Sequence, residues 1–326
     1  MEVGKSYFWE KTMILTQSEV INTLNHDISL EHEAILGYLT IAYALGEGEA
    51  ACELEELARE EMLHLKWLCW AVTDQGGVPD LDPPQTANHG GTPVELLKAD
   101  AEQEIQVITE YEQQKAQIDD GKIKRLLERL IDDSKRHRET VLGIAAELEA
   151  EEAANVQEPV GQPTPEDVAQ AINLLNDDVR EEYTAILQYL WQYFTVKHCP
   201  FSKRFEDKAI QEMKHLGWLA EKVAELGGEP KIVVGHVNKT TDLVEALEAD
   251  VTSERMAQQM YQQHINTIDD PEMQKLLGTI KQQEVFHEGI FRDMLAEVSQ
   301  PADEEKVPEA ARPGLAGRLT VGSLIR

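Results

Sequence analysis

EHEAILGYL (residues 31–39) returns 151 positions later as EYTAILQYL (182–190), and EMLHLKWL (61–68) returns by the same interval as EMKHLGWL (212–219). A third pair, DDGKIKRLL (119–127) and DDPEMQKLL (269–277), is displaced by 150. Three matches at intervals of 150 or 151 mark a tandem duplication. Within each copy apolar residues recur every three or four positions, the period of an amphipathic helix. The pattern predicts helices over about 17–45, 49–76, 92–119 and 122–150, then over 166–198, 201–227, 240–268 and 271–298, with breaks at Gly- and Pro-rich stretches. In each copy a short turn, a long crossover and a second short turn follow in order, the connectivity of a four-helix bundle.

The fold class is therefore all-α: two tandem four-helix bundles. The chain divides into a first bundle (1–152), a linker (153–165), a second bundle (166–298), a flexible linker (299–318) and a terminal peptide (319–326). KIVV (231–234) is the one stretch that tempts a strand assignment.

Composition narrows the function. Acidic residues outnumber basic ones 61 to 30, a formal charge of −31, so nucleic acid is repelled and cations are attracted. The three cysteines form no CxxC pair, which argues against a disulfide framework and a rubredoxin-type iron site. A reducing cytoplasm fits this usage, and neither a signal sequence nor a run of about 20 apolar residues is present, so no membrane association is expected.

Chemistry concentrates on the ExxH patterns Glu61/His64, Glu212/His215 and Glu284/His287. Residues three apart share a helix face, so each pattern aims a carboxylate and an imidazole at one spot. Each second-helix position has a partner 30 residues earlier: Glu31 for Glu61, Glu182 for Glu212, Glu254 for Glu284, and Glu104 for Ser134. The midpoint of each pair falls in or beside a short turn, so the two positions stand at one height on antiparallel helices. Glu248 is a rival for Glu254, which is preferred for its symmetric spacing. Tyr38, Tyr111, Tyr189 and Tyr261 each stand seven residues after a first-helix glutamate, nearly two turns on, where a phenol can bond a carboxylate across the bundle.

In the second bundle Glu182, Glu212, His215, Glu254, Glu284 and His287 thus converge. Four carboxylates in an apolar interior repel one another, whereas two divalent cations balance them, and mixed O/N ligation suits iron, manganese or zinc. The first bundle keeps Glu31, Glu61, His64, Glu104 and His137 but has Ser134 where Glu284 stands. Asp133 lies about 100° round the helix and needs a local distortion to replace the missing carboxylate. A weaker or mononuclear site is expected there.

The arrangement resembles the ferritin-like di-iron carboxylate superfamily, and EEYTAILQY and EMKH are similar to the first two metal-binding segments of bacterioferritin. The resemblance implies terminal ligands at Glu182 and Glu254, bridging ligands at Glu212 and Glu284, nitrogen ligands at His215 and His287, a dinuclear iron cofactor and ferroxidase activity. Manganese or zinc would suit the same ligands, as would a peroxide-consuming reaction or a non-catalytic metal-binding role. Met62 and Met213 occupy the position through which bacterioferritin-like proteins bind haem, but methionine beside a ligand ordinarily packs, and haem is not expected.

The terminal peptide LTVGSLIR resembles the targeting peptides of encapsulin cargo proteins. By that likeness Leu319, Val321, Leu324 and Ile325 fill apolar pockets on the inner wall of an encapsulin shell, with Gly322 and Ser323 letting the backbone lie close. The expected partner is that shell, within which the protein resides; the oligomeric state stays open, a homodimer being compatible.

Overall fold

The computed structural model describes residues 14–46, 48–84, 91–154, 165–196 and 199–299. The stretches expected to be a flexible linker (299–318) and a targeting peptide (319–326) lie outside the described residues from 300 on, as does most of the 153–165 linker. The described residues form eight helices: α1 (Gln17–Leu45), α2 (Glu49–Asp74), α3 (Pro93–Gln117), α4 (Gly121–Ala154), α5 (Glu166–Thr195), α6 (Cys199–Glu225), α7 (Leu243–Thr267) and α8 (Pro271–Ser299). None is long and apolar enough to cross a membrane.

Local chemistry sets the helix ends. Thr16 and Thr92 cap α1 and α3 in capping boxes with Glu19 and Glu95, and Asp242 accepts from the Glu245 amide at the start of α7. The second helix of each copy ends in a glycine pair. Gly76 and Gly227 take φ of 81° and 77°, where a side chain is strained. The glycine after each is needed for space: a Cβ on Gly77 would stand 2.7 Å from Ile21, and one on Gly228 2.7 Å from Ile172.

KIVV forms no strand, because no second strand lies beside it among the described residues. Side chains of α5 strap this crossover down instead: Asn176 Oδ1, Thr184 Oγ1 and Gln188 Oε1 accept from the amides of Lys231, Gly235 and Asn238. Ile232, Val234 and Val237 pack onto the second core.

Each hairpin (α1–α2, α3–α4, α5–α6, α7–α8) pairs along its length, and α1–α3, α2–α4, α5–α7 and α6–α8 contacts close the bundles. Leu24, Ile28, Leu54 and Leu68 in the first copy and Leu175, Val179, Leu219 and Leu277 in the second are fully buried, each worth about 1.5–3 kcal/mol. The copies pack together through α1 and α2 against α5 and α6. Leu36 and Tyr43 of α1 join the core of the second bundle. His32 Nε2 meets the Tyr183 hydroxyl at 2.6 Å, and these two hold equivalent places in the repeat. Lys66 pairs with Glu206 across the same junction, its ammonium also lying over the Trp70 and Tyr193 rings.

Candidate metal centre

All six candidate residues of the second bundle are buried in its interior, at no more than 4% exposure. Helical spacing places them: α5 brings Glu182, α6 Glu212 and His215, α7 Glu254, and α8 Glu284 and His287. Two overlapping groups form, Glu182/Glu212/His215/Glu284 and Glu212/Glu254/Glu284/His287, with one ligand atom from each residue within 4.8 Å of the others. Glu212 and Glu284 belong to both. Glu212 directs Oε2 to His215 Nδ1 and Oε1 to His287 Nδ1, each at 2.8 Å. Glu284 directs Oε1 to His215 Nδ1 at 2.9 Å and Oε2 to His287 Nδ1 at 3.2 Å. Glu182 and Glu254 lie at opposite ends, 3.4 Å from His215 Nδ1 and 3.7 Å from His287 Nδ1. Glu248 is exposed on another face of α7.

These atoms are close but do not hydrogen-bond one another. Both oxygens of Glu212, Oε1 of Glu284 and Nδ1 of both histidines have no hydrogen-bond partner. Buried polar atoms left unpaired cost about 1–3 kcal/mol each, so such a cluster is stable only when its lone pairs meet something else. Lone pairs aimed at common points rather than at one another are what cation ligands present, and the donor set fits a pair of divalent ions.

The surroundings support that. His215 Nε2 faces Gln283 Oε1 at 3.0 Å, and His287 Nε2 faces Gln211 Oε1 at 2.6 Å. A carboxamide oxygen only accepts, so each ring donates outward and keeps its Nδ1 lone pair for the centre. Buried Lys208 donates to the same Gln211 oxygen at 2.6 Å, which fixes that amide's orientation. Tyr189 donates to Glu254 at 2.5 Å and Tyr261 to Glu182, so the tyrosine of each helix orients the terminal carboxylate of the other. Outside this shell a surface cavity of about 550 Å³ opens between α6 and α8, lined by Lys208, Gln211, Lys214 and Phe286 among others.

Without a cation, protons balance the charge. Burial, then the charges of neighbouring glutamates, pushes Glu182 and Glu254 well above the usual carboxylate range. Burial opposes protonation of the imidazoles, but the facing carboxylates outweigh it and raise His215 and His287. Metal uptake must displace these protons, so affinity falls as pH falls.

The first bundle solves the same crowding differently. Glu61 accepts from Nδ1 of both His64 and His137 at 2.6 Å. Behind the rings stand carboxylates instead of carboxamides: Asp133 at 3.3 Å from His64 Nε2 and Glu60 at 2.8 Å from His137 Nε2. Arg129 and Arg136 hold Asp133, and Arg136 also holds Glu60. With an acceptor on both nitrogens, each ring is held as imidazolium. Burial resists this, but Glu61 pushes His137 up to about 9, and Glu31, with Asp133 and Glu61, pushes His64 well above its ordinary value. Asp133 keeps its helical direction behind His64 and does not replace the missing carboxylate. Ser134 faces Glu104 beside a cavity of about 10 Å³, roughly one water. Tyr38 and Tyr111 still bond Glu104 and Glu31, at 2.7 and 2.5 Å. Among the described residues, Glu61, His64 and His137 are the group that converges here, a set suited to one ion at most.

Sequence reasoning missed the outer partners. Their signal is the residue before each α-helical ligand position: Gln211 and Gln283 in one copy, Glu60 and Asp133 in the other. It also missed an aspartate one turn before every first-helix glutamate, in DISLE, DAEQE, DVREE and DVTSE (27–31, 100–104, 178–182, 250–254).

Known proteins match both copies. A family model described as Ferritin-like domain matches residues 172–300, and one described as Ferritin-like matches residues 24–165. A probable manganese catalase of Clostridium acetobutylicum is 25% identical over 146 residues, spanning 36% of this chain and 65% of that protein's length. The bacterioferritin of Desulfovibrio desulfuricans, solved with its diiron site in different catalytic states, aligns at 21% identity and a TM-score of 0.40, covering 46% of this chain and 98% of that one.

Proposed function

With two ferritin-like domains in tandem, the chain belongs to the ferritin-like family, and we propose that its second bundle is a dinuclear ferroxidase centre that oxidises Fe(II) to Fe(III) for sequestration inside an encapsulin shell. One observation carries the ferroxidase reading: Glu212 and Glu284 each offer one oxygen to each imidazole, so two cation positions share two carboxylates.

Glu182 and His215 would complete one position, Glu254 and His287 the other. Two Fe(II) ions held by these six residues would supply two electrons together to dioxygen or peroxide, which would avoid one-electron release. The protein's own part is positional and electrostatic. Gln211 and Gln283 hold the imidazoles in the ligand tautomer, Tyr189 and Tyr261 orient the terminal carboxylates, and the acidic exterior concentrates cations. Protons displaced from the carboxylates and imidazoles on metal uptake leave as the ions enter.

Anaerobic loading with Fe(II) followed by dioxygen tests this: rapid Fe(III) formation is expected in the parent protein, and Glu212→Ala should abolish it. Unchanged oxidation in that variant would remove the centre from consideration. A second reading, consumption of hydrogen peroxide, is favoured by the likeness to the probable manganese catalase. Comparing dioxygen with hydrogen peroxide as oxidant, on iron- and manganese-loaded protein, separates the two. The shell partnership rests on LTVGSLIR. Removing residues 319–326 should abolish co-purification with the encapsulin shell, and retained loading would refute it.

A further inference from the structure

The four aspartates one turn before the first-helix glutamates are all largely buried, and in three of them, Asp27, Asp100 and Asp250, Oδ2 has no hydrogen-bond partner while Oδ1 is not orphaned. Asp27 Oδ1 accepts from Gln114 Nε2 at 2.6 Å, and Asp250 Oδ1 accepts from Gln188 and Gln192 at 2.7 and 2.8 Å. Asp100 faces the small cavity beside Ser134 in the first bundle.

Asp178 differs. It has no exposed surface, and neither of its oxygens has an aligned hydrogen bond, Oδ1 having only an ion-pair contact. Its neighbour is His264, 7% exposed, whose Nδ1 stands 2.9 Å from Asp178 Oδ1 yet is itself without a hydrogen bond. The atoms are near enough to bond but are not aligned to do so. This is the relation that Glu212 and Glu284 have to His215 and His287 a turn away.

The internal repeat supplies a control. Position 264 corresponds to 114, and 178 to 27, so the first bundle holds the same pair as aspartate and glutamine, joined by an ordinary hydrogen bond. In the copy whose centre is locked by hydrogen bonds, this pair shares one as well, with Asp27 Oδ2 and Gln114 Oε1 left over. In the copy whose centre presents free lone pairs, this pair presents them as well.

We propose that Asp178 and His264 form a further divalent-cation site, separate from the dinuclear centre, with water filling the remaining positions. One carboxylate and one imidazole select a borderline cation such as Fe(II), Mn(II) or Zn(II) over calcium or copper(I). Two protein ligands bind weakly and release readily, as a supply position requires. Asp178 lies one turn from Glu182 on α5, about 6 Å along the axis. Tyr261, three residues before His264 on α7, donates to that same Glu182. An ion released from Asp178 and His264 therefore has the Glu182/His215 position as its next carboxylate–imidazole set. The site stands on its own residues; its role in supply rests on the proposed occupancy of the centre.

Crystals of the full chain equilibrated with excess Zn(II) test the site by anomalous diffraction at the zinc edge, paired with equilibrium dialysis in solution. Expected is a peak about 2.0–2.2 Å from Asp178 Oδ and His264 Nδ1, besides those of the centre. His264→Gln, which copies the residue at 114 and so suits the fold, should lose that peak, bind one zinc fewer per chain and keep the centre's peaks. Saturation of the centre with no peak at Asp178, or an unchanged zinc count in His264→Gln, would overturn the proposal and mean that the pair holds a proton instead. Failure of the centre to fill would defeat the ferroxidase reading, while the Asp178 peak would still decide this one.

Discussion

Single side chains behind the ligands decide what each bundle can hold. Gln211 and Gln283 accept from their imidazoles and leave Nδ1 without a hydrogen bond, whereas His64 and His137 are hydrogen-bonded to carboxylates through both nitrogens. Gln283→Leu or Gln211→Leu removes the outward acceptor without touching a ligand. Metal affinity of the second bundle should fall by about 10–100-fold in either variant, as competition with a chromophoric chelator would measure. An affinity equal to that of the parent would show that the carboxamides do not orient the rings.

At the scale of elements, the junction of α1 with α5 contains a group that responds to acid. His32 is buried, and burial lowers it from its ordinary 6.5 to about 4. Between these values the unfolded chain takes up a proton that the folded junction refuses. The contribution is intact above about pH 6.5 and is lost as pH falls towards 4, to a total of about 3 kcal/mol. His32→Gln keeps an acceptor for Tyr183 but cannot titrate. Melting temperatures recorded from pH 7 to pH 4 should therefore drop more steeply for the parent than for this variant, and parallel curves would refute the assignment. The helices themselves were legible beforehand, with ends within a few residues, because caps, glycine pairs and apolar periodicity are local. KIVV tempts a strand assignment without forming one because β-branched residues favour a strand only where another strand is available to pair.

At the scale of the molecule, the duplication has produced halves of equal architecture and unequal chemistry. The second centre presents lone pairs that cations would occupy, while the first is satisfied by Arg129, Arg136 and its own imidazoles. Removing metal with a chelator should lower the melting of the second bundle and leave the first nearly unchanged. Calorimetry should then resolve two transitions, of which metal restores only the lower. Equal shifts in both would mean that the first bundle also depends on metal.

The convergence of carboxylates and imidazoles was readable in the chain because helical rise is constant: a 30-residue interval about a short turn puts two side chains at one height in any hairpin. The duplicated segments, the order of turns and the loss of a carboxylate at Ser134 are likewise properties of the string of residues. Which lone pairs are free is not. Whether His64 is a ligand or an imidazolium depends on Asp133 from another helix, and whether Asp178 bonds its neighbour depends on a ring 86 residues away on α7. Hydrogen bonds are directional to within tens of degrees and their partners lie across the bundle, so only the packed structure decides between a proton and a cation.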